Sequence, residues 1–431
     1  MTASAPPSRP LRVLIVGLNY APEPIGIAAY TTGLAEHLAR AGHRVEVVAG
    51  RPYYPQWRVY PGFEAIAWTR TVERGVAITR CPHYVPTVPS GAKRIFHHLS
   101  FAAAALPVAF ARVLRERPDV VLCVTPSLVS AATARIAAWL ARAPLWLHVQ
   151  DFEVDAALAT GLVRGGLLER ALRRVEAALF RSAATVSTIS PKMVERLVAK
   201  GVAPGRAFEL RNWASIGGEA SGDGYRREWG LEGRTVALYS GSIGRKQGAG
   251  LILDAARRLS DRTAIAFAIC GEGPDLAELK AAARDLPAVQ FHPLQPAERL
   301  GELLALADLH LLPQVAEASD LVLPSKLTNM LASGRPVIAT AAPGTGLHDE
   351  IEGCGIAVPP GDAAALAAGI AALADDPALR LRLGAAARAR AAARWSAETI
   401  LGQFEQHLAM LVAGLSDRGN VPENRSGQRP G

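Results

Sequence analysis

The stretch RVLIVGLNYAPEPIGIAAYTTGLAEHLARAGHRVEVVAG, residues Arg12–Gly50, decides the fold of this chain. Its first seven residues form a continuous apolar run, which is typical of a strand buried on both faces. Gly26–His43 has helical periodicity and reaches Gly42, a good helix-ending residue, before a second apolar run at Arg44–Gly50. A strand, a helix and a strand in this order predict a parallel sheet with a right-handed crossover.

The same alternation continues along the chain. In the first half it predicts strands at 119–125, 143–151, 183–190 and 207–213, and helices at 127–142, 164–180 and 192–200. A linker rich in Gly, Ser and charge follows at 214–234. In the second half it predicts strands at 235–241, 264–271, 289–294, 309–314, 336–341 and 355–360, and largely helical structure at 375–412. The predicted fold class is therefore α/β, with doubly wound parallel sheets.

With 431 residues, the chain is too long for one ordinary domain. We predict a first Rossmann-like domain at 1–212, a second at 213–395, a helix at 396–415 that could cross back to the first domain, and a disordered tail at 416–431. Ligands of such sheets bind beyond the carboxyl ends of the strands. Two such domains that face each other would place the site in the cleft between them.

Positive charge is concentrated in the first half of the chain. Residues 1–212 contain 26 Lys and Arg against 14 Asp and Glu, whereas the remainder contains 21 against 25. This asymmetry predicts an anionic partner, which could be a membrane surface, a nucleic acid or a phosphorylated substrate. A compositional bias of the surface without a functional role explains it equally well.

The longest uncharged run, Ile95–Ala111, is flanked by basic residues. It is short for a membrane-spanning helix and contains two histidines and a proline. It predicts either an interfacial helix on an anionic leaflet or a core helix with a basic end.

The cysteines indicate a reducing compartment. Cys81, Cys123, Cys270 and Cys354 lie far apart without metal-binding spacing, and Cys123 and Cys270 fall in apolar runs that predict buried thiols. The polar start MTASAPPSRP leads directly into a strand and has no signal-peptide pattern. We expect a cytoplasmic protein.

A glycine-rich loop, YSGSIGRKQGAG (Tyr239–Gly250), opens the second half. Glycines allow close approach of a ligand to the backbone, and a helix start attracts anions. Arg245 and Lys246 add positive charge, so the loop predicts a diphosphate site, although a turn with solvated basic residues would look similar. A second glycine-rich strand end, ICGEGP (Ile269–Pro274), should lie at the same sheet edge.

The segment LVLPSKLTNMLASGRPVIAT, Leu321–Thr340, contains a second helix start. We expect Ser325 to cap a helix that ends at Gly334. Lys326 lies in the first turn, where the helix dipole disfavours a cation unless an anion is present. Asn329, one turn later on the same face, could bind ribose hydroxyls or a phosphate oxygen. A structural helix with an exposed Lys is the alternative.

In the first domain, HVQD (His148–Asp151) ends a predicted strand. A histidine in an apolar strand is usually a packed core residue, but its position at the strand end, with Asp151 and Glu153 nearby, makes His148 a catalytic candidate. Gly26 and Ile27 open the first helix and would also face a ligand.

Several segments together resemble retaining glycosyltransferases of the GT-B type, in particular family 4 and its colanic acid biosynthesis subgroup. These segments are NYAPEPIGIAAYT, RPYYPQW, HVQDFEVDA, STIS, YSGSIGRKQG and PSKLTNMLASG, and the resemblance covers nearly the whole chain. It implies an N-terminal acceptor-binding domain, a C-terminal nucleotide-sugar-binding domain, and transfer of a sugar with retention of its anomeric configuration.

The resemblance also assigns residues. Lys246 matches the diphosphate-binding Lys, and His148 matches a histidine that contacts the donor sugar. The Arg usual after Gly241 is replaced by Ser242, so Arg245 is expected to substitute for it. The remaining donor-binding assignments are Gly26, Ile27, Gly241, Ser242, Gly271, Glu272, Gly273, Ser325, Lys326 and Asn329. Tyr53, Tyr54, Trp57 and Asp151 are assigned to the acceptor.

Two expected carboxylates are missing. Asn329 and Leu321 stand where the family has the two Glu residues of its E-x7-E motif, and Glu317 and Asp320 are candidates for the missing acid. The subgroup favours GDP-fucose as donor, without settling the base or the sugar.

The expected reaction is a front-face displacement without metal or cofactor, because no enzymic nucleophile and no metal-ligand cluster is apparent. The expected partners are a nucleotide sugar, a lipid-linked saccharide acceptor for exopolysaccharide synthesis and an anionic membrane surface. The protein would lie on the inner face of the cytoplasmic membrane, without binding nucleic acid.

Two other functions share this architecture. A nucleotide-sugar 2-epimerase would differ by failing to transfer sugar to an added acceptor, and the missing carboxylates also suit a degenerate, non-catalytic assembly partner. A dehydrogenase is excluded because no G-x-G-x-x-G follows the first strand.

Overall fold

The structure is a computed structural model that describes residues 9–24, 26–125, 127–159, 166–216, 220–315 and 323–419. The chain divides into two compact units. Unit 1 contains the residues up to Arg211 together with those from Ile400 onward, and unit 2 is Asn212–Thr399. Each unit is built around one sheet.

Unit 1 contains an eight-stranded sheet in the order β3-β4-β2-β1-β5-β6-β7-β8. The strands are β1 (Arg12–Gly17), β2 (Arg44–Gly50), β3 (Thr69–Glu73), β4 (Val76–Cys81), β5 (Val120–Thr125), β6 (Leu145–Val149), β7 (Thr185–Thr188) and β8 (Ala207–Glu209). All neighbours pair in parallel except β3 and β4. Every residue of β5 and β6 is buried, as expected when both faces of a parallel sheet are covered.

Helices connect these strands. They are α1 (Ile27–Arg40), α2 (Gly91–Glu116), α3 (Leu128–Ala141), α4 (Glu153–Ala159), α5 (Gly166–Ser182) and α6 (Pro191–Ala199). Phe101, Ala105 and Ala109 of α2 pack with Ala134 and Ala137 of α3 in the same core cluster. Small side chains let these two helices approach each other and the sheet closely.

Unit 2 contains a six-stranded parallel sheet in the order β11-β10-β9-β12-β13-β14. Its strands are β9 (Thr235–Ser240), β10 (Ile265–Cys270), β11 (Val289–His292), β12 (Leu309–Leu312), β13 (Val337–Thr340) and β14 (Gly355–Val358). Its helices are α7 (Asp223–Glu228), α8 (Gly250–Arg258), α9 (Leu276–Ala282), α10 (Leu300–Ala305), α11 (Lys326–Ala332), α12 (Gly346–Ile351), α13 (Ala363–Asp375) and α14 (Pro377–Trp395). The predicted class, two doubly wound Rossmann-like α/β domains, is confirmed.

Each sheet has a point where the chain reverses its direction of progress across the strands. In unit 1 this switch point lies between β1 and β5, and in unit 2 it lies between β9 and β12. The connections that leave two such strands diverge to opposite faces and open a crevice at the carboxyl edge. The switch points therefore identify where a ligand of each unit should bind.

The hairpin of β3 and β4 was not predicted. All residues of β3 are exposed, so its sequence lacks the apolar signal of a buried strand. The turn uses Arg74 and Gly75 with φ of 48° and 81°, which is the backbone twist that favours a two-residue hairpin.

The final helix, α15 (Ala397–Gly419), begins after α14 ends at Trp395, where the sequence predicts a break. It continues to Gly419, so the predicted end of the helix at residue 415 is wrong. Its residues from Ile400 onward belong to unit 1. Phe404 is fully buried with its ring centroid 4.9 Å from that of Trp146, and His37 Nε2 lies 2.9 Å from Glu405 Oε2.

The helix α2 has the length and hydropathy of a possible membrane span, the only one found among the described helices. One third of its apolar window is nevertheless buried inside the protein, and it packs against α3 and the sheet. One face of α2 is therefore core, as the second interpretation predicted, and the other face is exposed, whereas contact of the exposed face with a membrane stays a prediction.

We predict that replacement of Phe404 by Ala destabilises unit 1. Loss of a buried aromatic ring should lower the free energy of unfolding by about 3–5 kcal/mol. The measurement is urea unfolding followed by circular dichroism. Met410→Ala, at a half-exposed position of the same helix, should change stability by less than about 1 kcal/mol. Equal effects of the two changes would show that α15 does not pack against unit 1 as described.

Candidate functional site

The first connection at the unit 2 switch point follows β9. Gly241 has φ of 129°, and a 3₁₀ helix at Arg245–Gln247 and Gly248 in the left-handed region separate the strand from α8. The glycine-rich loop thus opens α8, which begins at Gly250, as the sequence predicted, and it contains the 3₁₀ turn before the helix. Arg245 and Ser242 are exposed to solvent.

The second glycine-rich segment supports this loop. The Gly241 and Ile243 N–H groups donate to the carbonyls of Cys270 and Glu272 at 2.9 and 2.8 Å. A Cβ on Gly271 would lie 1.9 Å from the Gly241 carbonyl oxygen, and one on Gly273 would lie 2.0 Å from that of Ile243. Close packing of two backbones thus explains both glycines of ICGEGP, whose donor role remains a prediction.

Lys326, at the start of α11, reaches the same loop. A Cβ on Gly241 would lie 3.5 Å from Lys326 Nζ, and this nitrogen lies 4.1 Å from the centroid of the Tyr239 ring. Nζ is buried and has no hydrogen-bond partner in the described part of the chain. Burial lowers the Lys326 pKa to about 8. The alternative of a structural helix with an exposed Lys is therefore wrong about Lys326.

A buried ammonium that has no partner among the described residues, placed at a switch point, is a candidate anion site. Burying a charge without a partner costs free energy, which a bound anion would offset. The ring of Tyr239 offers only a weak cation–π contact in return. The side-chain oxygen of Gln314, in the connection after β12, is likewise buried without a partner among the described residues.

The neighbours of Lys326 behave differently from the prediction. Ser325 precedes α11 but its side chain makes no capping bond, because its own backbone is helical. The Asn329 side-chain oxygen accepts from the Ser215 and Ile216 N–H groups at 2.8 and 3.3 Å. Asn329 therefore holds the linker before α7 by hydrogen bonds. These bonds reduce the capacity of its side-chain amide to bind ribose hydroxyls.

Some predicted positions lie outside the described residues. These are Leu321 and the two candidate acids, Glu317 and Asp320. Lys246 lies in the 3₁₀ helix of the β9 loop.

In unit 1, the connection after β1 ends at Gly26, which precedes α1 with φ of 70°. Glu23 organises this connection from a buried position. One of its oxygens accepts from the N–H groups of Tyr53 and Tyr54 at 2.8 and 2.9 Å, and the other accepts from the Asn19 amide at 2.9 Å. Glu23 thus joins the loops after β1 and β2, a role that the sequence did not reveal.

The predicted acceptor residues differ in burial, and some lie in the core whereas others are exposed. Tyr53 is 4% exposed and packs on Trp57 and His97, with ring centroids 5.2 and 4.6 Å away, so it is part of the core and its contact with an acceptor stays a prediction. Trp57 is half-buried, and Tyr54 and Asp151 are exposed. Trp57 also lies under the Arg94 guanidinium.

His148 lies in β6 and is 2% exposed. Its Nδ1 is 2.9 Å from Ser187 Oγ, and its Nε2 is 2.8 Å from the Gln150 side chain. Burial lowers the His148 pKa to about 4, so the ring is neutral at neutral pH. Its contact with the donor sugar stays a prediction, and the geometry shows a packed, hydrogen-bonded histidine.

Glu153 begins α4 after β6 and reaches the connection that follows β5. Its Oε2 accepts from the N–H of Leu128 at the start of α3, and its Oε1 is 3.6 Å from His98 Nε2. Burial, assisted by Asp151 and Glu176, raises the Glu153 pKa to about 7. Burial and nearby positive charge lower the His98 pKa to about 4, so this pair is not ionic at neutral pH.

No group of three or more potential metal ligands occurs among the residues that the structure describes. Metal independence remains a prediction.

Family models match both halves of the chain. The model described as "Glycosyl transferase 4-like domain" matches residues 26–213, and the one described as "Glycosyl transferases group 1" matches residues 223–390. These matches cover the sheet of unit 1 except β1, and the whole sheet of unit 2. The chain belongs to glycosyltransferase family 4.

Similarity to one relative indicates the subgroup of the family to which the chain belongs. The chain is 40% identical over 376 residues to WcaI of Escherichia coli (strain K12), a protein whose name assigns it to colanic acid biosynthesis as a glycosyl transferase. The match covers 84% of this chain and 91% of WcaI. The predicted resemblance to this subgroup is confirmed.

Solved glycosyltransferase structures share the fold. Sucrose-phosphate synthase from Thermosynechococcus elongatus has a TM-score of 0.69 at 19% identity, over 94% of this chain and 100% of that one. HepE of Anabaena, solved with UDP-glucose, has a TM-score of 0.65 at 17% identity, over 93% and 99% of the two chains. These likenesses confirm the GT-B architecture.

We predict that Lys326→Met raises the stability of the ligand-free protein and weakens its binding of a nucleoside diphosphate. Removal of an unpaired buried charge should raise the free energy of unfolding of the ligand-free protein by on the order of 2 kcal/mol. Loss of a charged contact should weaken nucleoside-diphosphate binding about 10- to 150-fold. Urea unfolding and calorimetric titration measure the two effects. Lys280→Met, at an exposed position of unit 2, is the matched control.

The wild-type affinity should also fall as pH rises through about 8, because the ammonium loses its proton there unless an anion holds it. The methionine variant should lack this pH dependence. Equal affinities of variant and wild type would exclude Lys326 from the anion site.

We predict that Glu153→Gln stabilises the protein increasingly as pH rises. The folded Glu153 holds its proton up to about pH 7, above its usual pKa, so its contribution to stability falls as pH rises toward neutrality. Gln keeps the oxygen that accepts from Leu128 but never ionises. The difference in free energy of unfolding should grow by about 1–2 kcal/mol between about pH 5 and about pH 8.

Urea unfolding at a series of pH values measures this difference. Glu195→Gln, at a solvated carboxyl, should give a difference that changes little with pH. A flat difference for Glu153→Gln as well would mean that Glu153 is ionised like a surface residue.

Proposed function

We propose that the protein transfers a sugar from a nucleoside-diphosphate sugar to a lipid-linked saccharide, with retention of configuration, in the synthesis of an exopolysaccharide related to colanic acid. The proposed donor is GDP-fucose. The single observation that carries the nucleoside-diphosphate class of donor is the buried Lys326 ammonium beside Gly241, which has no hydrogen-bond partner among the described residues.

The diphosphate would be the counter-ion of this ammonium. Arg245, exposed in the same loop, and Lys246 add positive charge at the carboxyl edge of β9. The similarity to WcaI supports the pathway, and the UDP-glucose in the HepE structure is an example of this donor class in the same fold.

The proposed reaction breaks the bond between the anomeric carbon and the diphosphate oxygen. The acceptor hydroxyl oxygen bonds to the same face of that carbon, and its proton passes to the departing phosphate. Lys326, Arg245 and Lys246 stabilise the charge that develops on the leaving group, an electrostatic contribution that needs no metal.

The lipid-linked acceptor follows from the pathway proposed and from the basic first half of the chain. Such an acceptor is held in a membrane, so we propose that the enzyme works at the inner face of the cytoplasmic membrane. In unit 1, Tyr54, Trp57 and Asp151 are the proposed acceptor contacts, since each has exposed surface.

The experiment is thermal unfolding of the purified protein with UDP, GDP, TDP or CMP. A nucleotide at 100 times its dissociation constant should add about 2.7 kcal/mol of stability. We expect selective stabilisation by GDP, loss of that effect in Lys246→Ala, and transfer by this variant that is about 100- to 1,000-fold slower. Near-wild-type transfer by Lys246→Ala would exclude its role. No stabilisation by any of the four nucleotides would contradict the proposed donor class.

A further inference from the structure

One face of α2 exposes a continuous apolar stripe. Its exposed large side chains are Ile95, Phe96, Leu99, Leu106, Phe110 and Leu114. At about 100° of rotation per helical residue, all of these positions fall within about 100° of one another. Exposed apolar residues of soluble proteins are usually scattered singly, whereas a contiguous patch marks an interaction surface.

The helix α3 extends this stripe. Ile136, Trp139 and Leu140 of α3 are exposed, and Trp139 has 67% of its surface open to solvent. Between the helices, Leu106 and Phe110 face Ile136 and Leu140 across an apolar groove of about 320 Å³. We call these exposed side chains and the groove the α2–α3 face.

A basic pocket adjoins this face. It has a volume of about 610 Å³, and its lining includes Arg135, Arg142 and Arg206 together with Trp139 and Leu140. Leu140 also lines the apolar groove, so the two features are continuous.

The arginines of this pocket are available to an anion. Neither Arg135 nor Arg142 forms an ion pair within the part of the chain that the structure describes. Arg206 is held in place by the carbonyls of Arg181 and Ala183 at 3.2 Å, contacts that leave its charge uncompensated. The pocket therefore combines fixed positive charge with an aromatic side chain at the border of an apolar surface.

We propose that the α2–α3 face rests on the acyl chains of an anionic membrane leaflet and that the basic pocket binds the phosphate of a phospholipid headgroup. The juxtaposition fits one occupant, because a phospholipid carries an anion and an apolar chain at adjacent depths. Trp139 lines the basic pocket next to Leu140, which lines both features, and an amphipathic ring at this border suits the membrane interface.

A second copy of the chain fits this face less well. A two-fold contact brings the same surface of each copy together, so Arg135 and Arg142 would meet their own like charges. The membrane instead supplies the opposite charge. An acidic protein partner would match the arginines but would not require so continuous an apolar stripe.

The proposal rests on the proposed lipid-linked acceptor. The chain leaves β4 at the carboxyl edge of the sheet and enters β5 at the opposite edge, so α2 starts at the edge that carries the candidate site. The stripe from Phe96 to Leu114 then spans about 27 Å along the helix. A leaflet in contact with this face would therefore extend to the carboxyl edge of the unit 1 sheet, where the acceptor is expected to bind.

The experiment is co-sedimentation of the full-length protein with phosphatidylcholine vesicles, with and without phosphatidylglycerol. Wild type should bind better to the anionic vesicles. Arg135→Gln with Arg142→Gln should lower partition into anionic vesicles about thirtyfold. Phe110→Ser with Trp139→Ser should lower binding to both vesicle types at least about tenfold.

Matched controls change exposed residues of unit 2. Arg258→Gln with Arg284→Gln and the single change Leu381→Ser should leave vesicle binding unchanged. Equal losses in these controls, or equal wild-type binding to both vesicle types, would overturn the proposal. So would a dimer in sedimentation velocity that the Phe110 and Trp139 changes convert to a monomer while vesicle binding persists.

Nucleotide-induced thermal stabilisation, measured in the same variants, keeps the two proposals apart. All of them should fold and respond to nucleotide as the wild type does. Nucleotide response without vesicle binding would overturn the membrane proposal alone, whereas vesicle binding without a response to any nucleotide would contradict the transferase proposal alone.

Discussion

The buried ammonium of Lys326 is the constraint on which the candidate donor site depends. This ammonium has no hydrogen-bond partner among the described residues, and burial lowers its pKa because it disfavours the charged form. The fold nevertheless holds it beside Gly241, whose φ of 129° favours glycine, and above the ring of Tyr239. The free-energy cost of the buried charge is present before any ligand binds. An anion that binds there removes this cost, and its affinity is higher for that reason.

The parallel sheets decide which chain segments can take part. In unit 2 the carboxyl ends of β9, β10 and β12 bring three connections to one edge, and the loop after β9 is held by backbone contacts to the segment after β10. In unit 1 the same geometry joins the loops after β1 and β2 through Glu23, and it directs Glu153 to the start of α3. Rigid strands thus position polar groups that lie far apart in sequence.

Much of the fold could be predicted from the sequence because buried strands read as uninterrupted apolar runs, such as Arg44–Gly50, which is the observed β2. β3 was not predicted because its residues are exposed and lack an apolar pattern. Ser325 does not cap α11 because its own backbone is already helical. The burial of the Lys326 side chain could not be predicted either. Its position in the helix sets the direction of the side chain but does not show which residues cover it. Likewise, no local pattern shows that Gly271 and Gly273 make room for a neighbouring backbone rather than for a ligand.

The family resemblance predicts a carboxylate where Asn329 lies, and an amide at that position is consistent with this arrangement. Asn329 lies one helical turn beyond Lys326, and its side-chain oxygen accepts from the backbone of Ser215 and Ile216. A glutamate at that position would bring a negative charge to within a turn of the ammonium and would compete with a bound anion for it. The amide instead fastens the linker without adding charge. The variant sequence thus leaves the positive charge of Lys326 uncompensated within its own helix, which favours a ligand that supplies the negative charge itself.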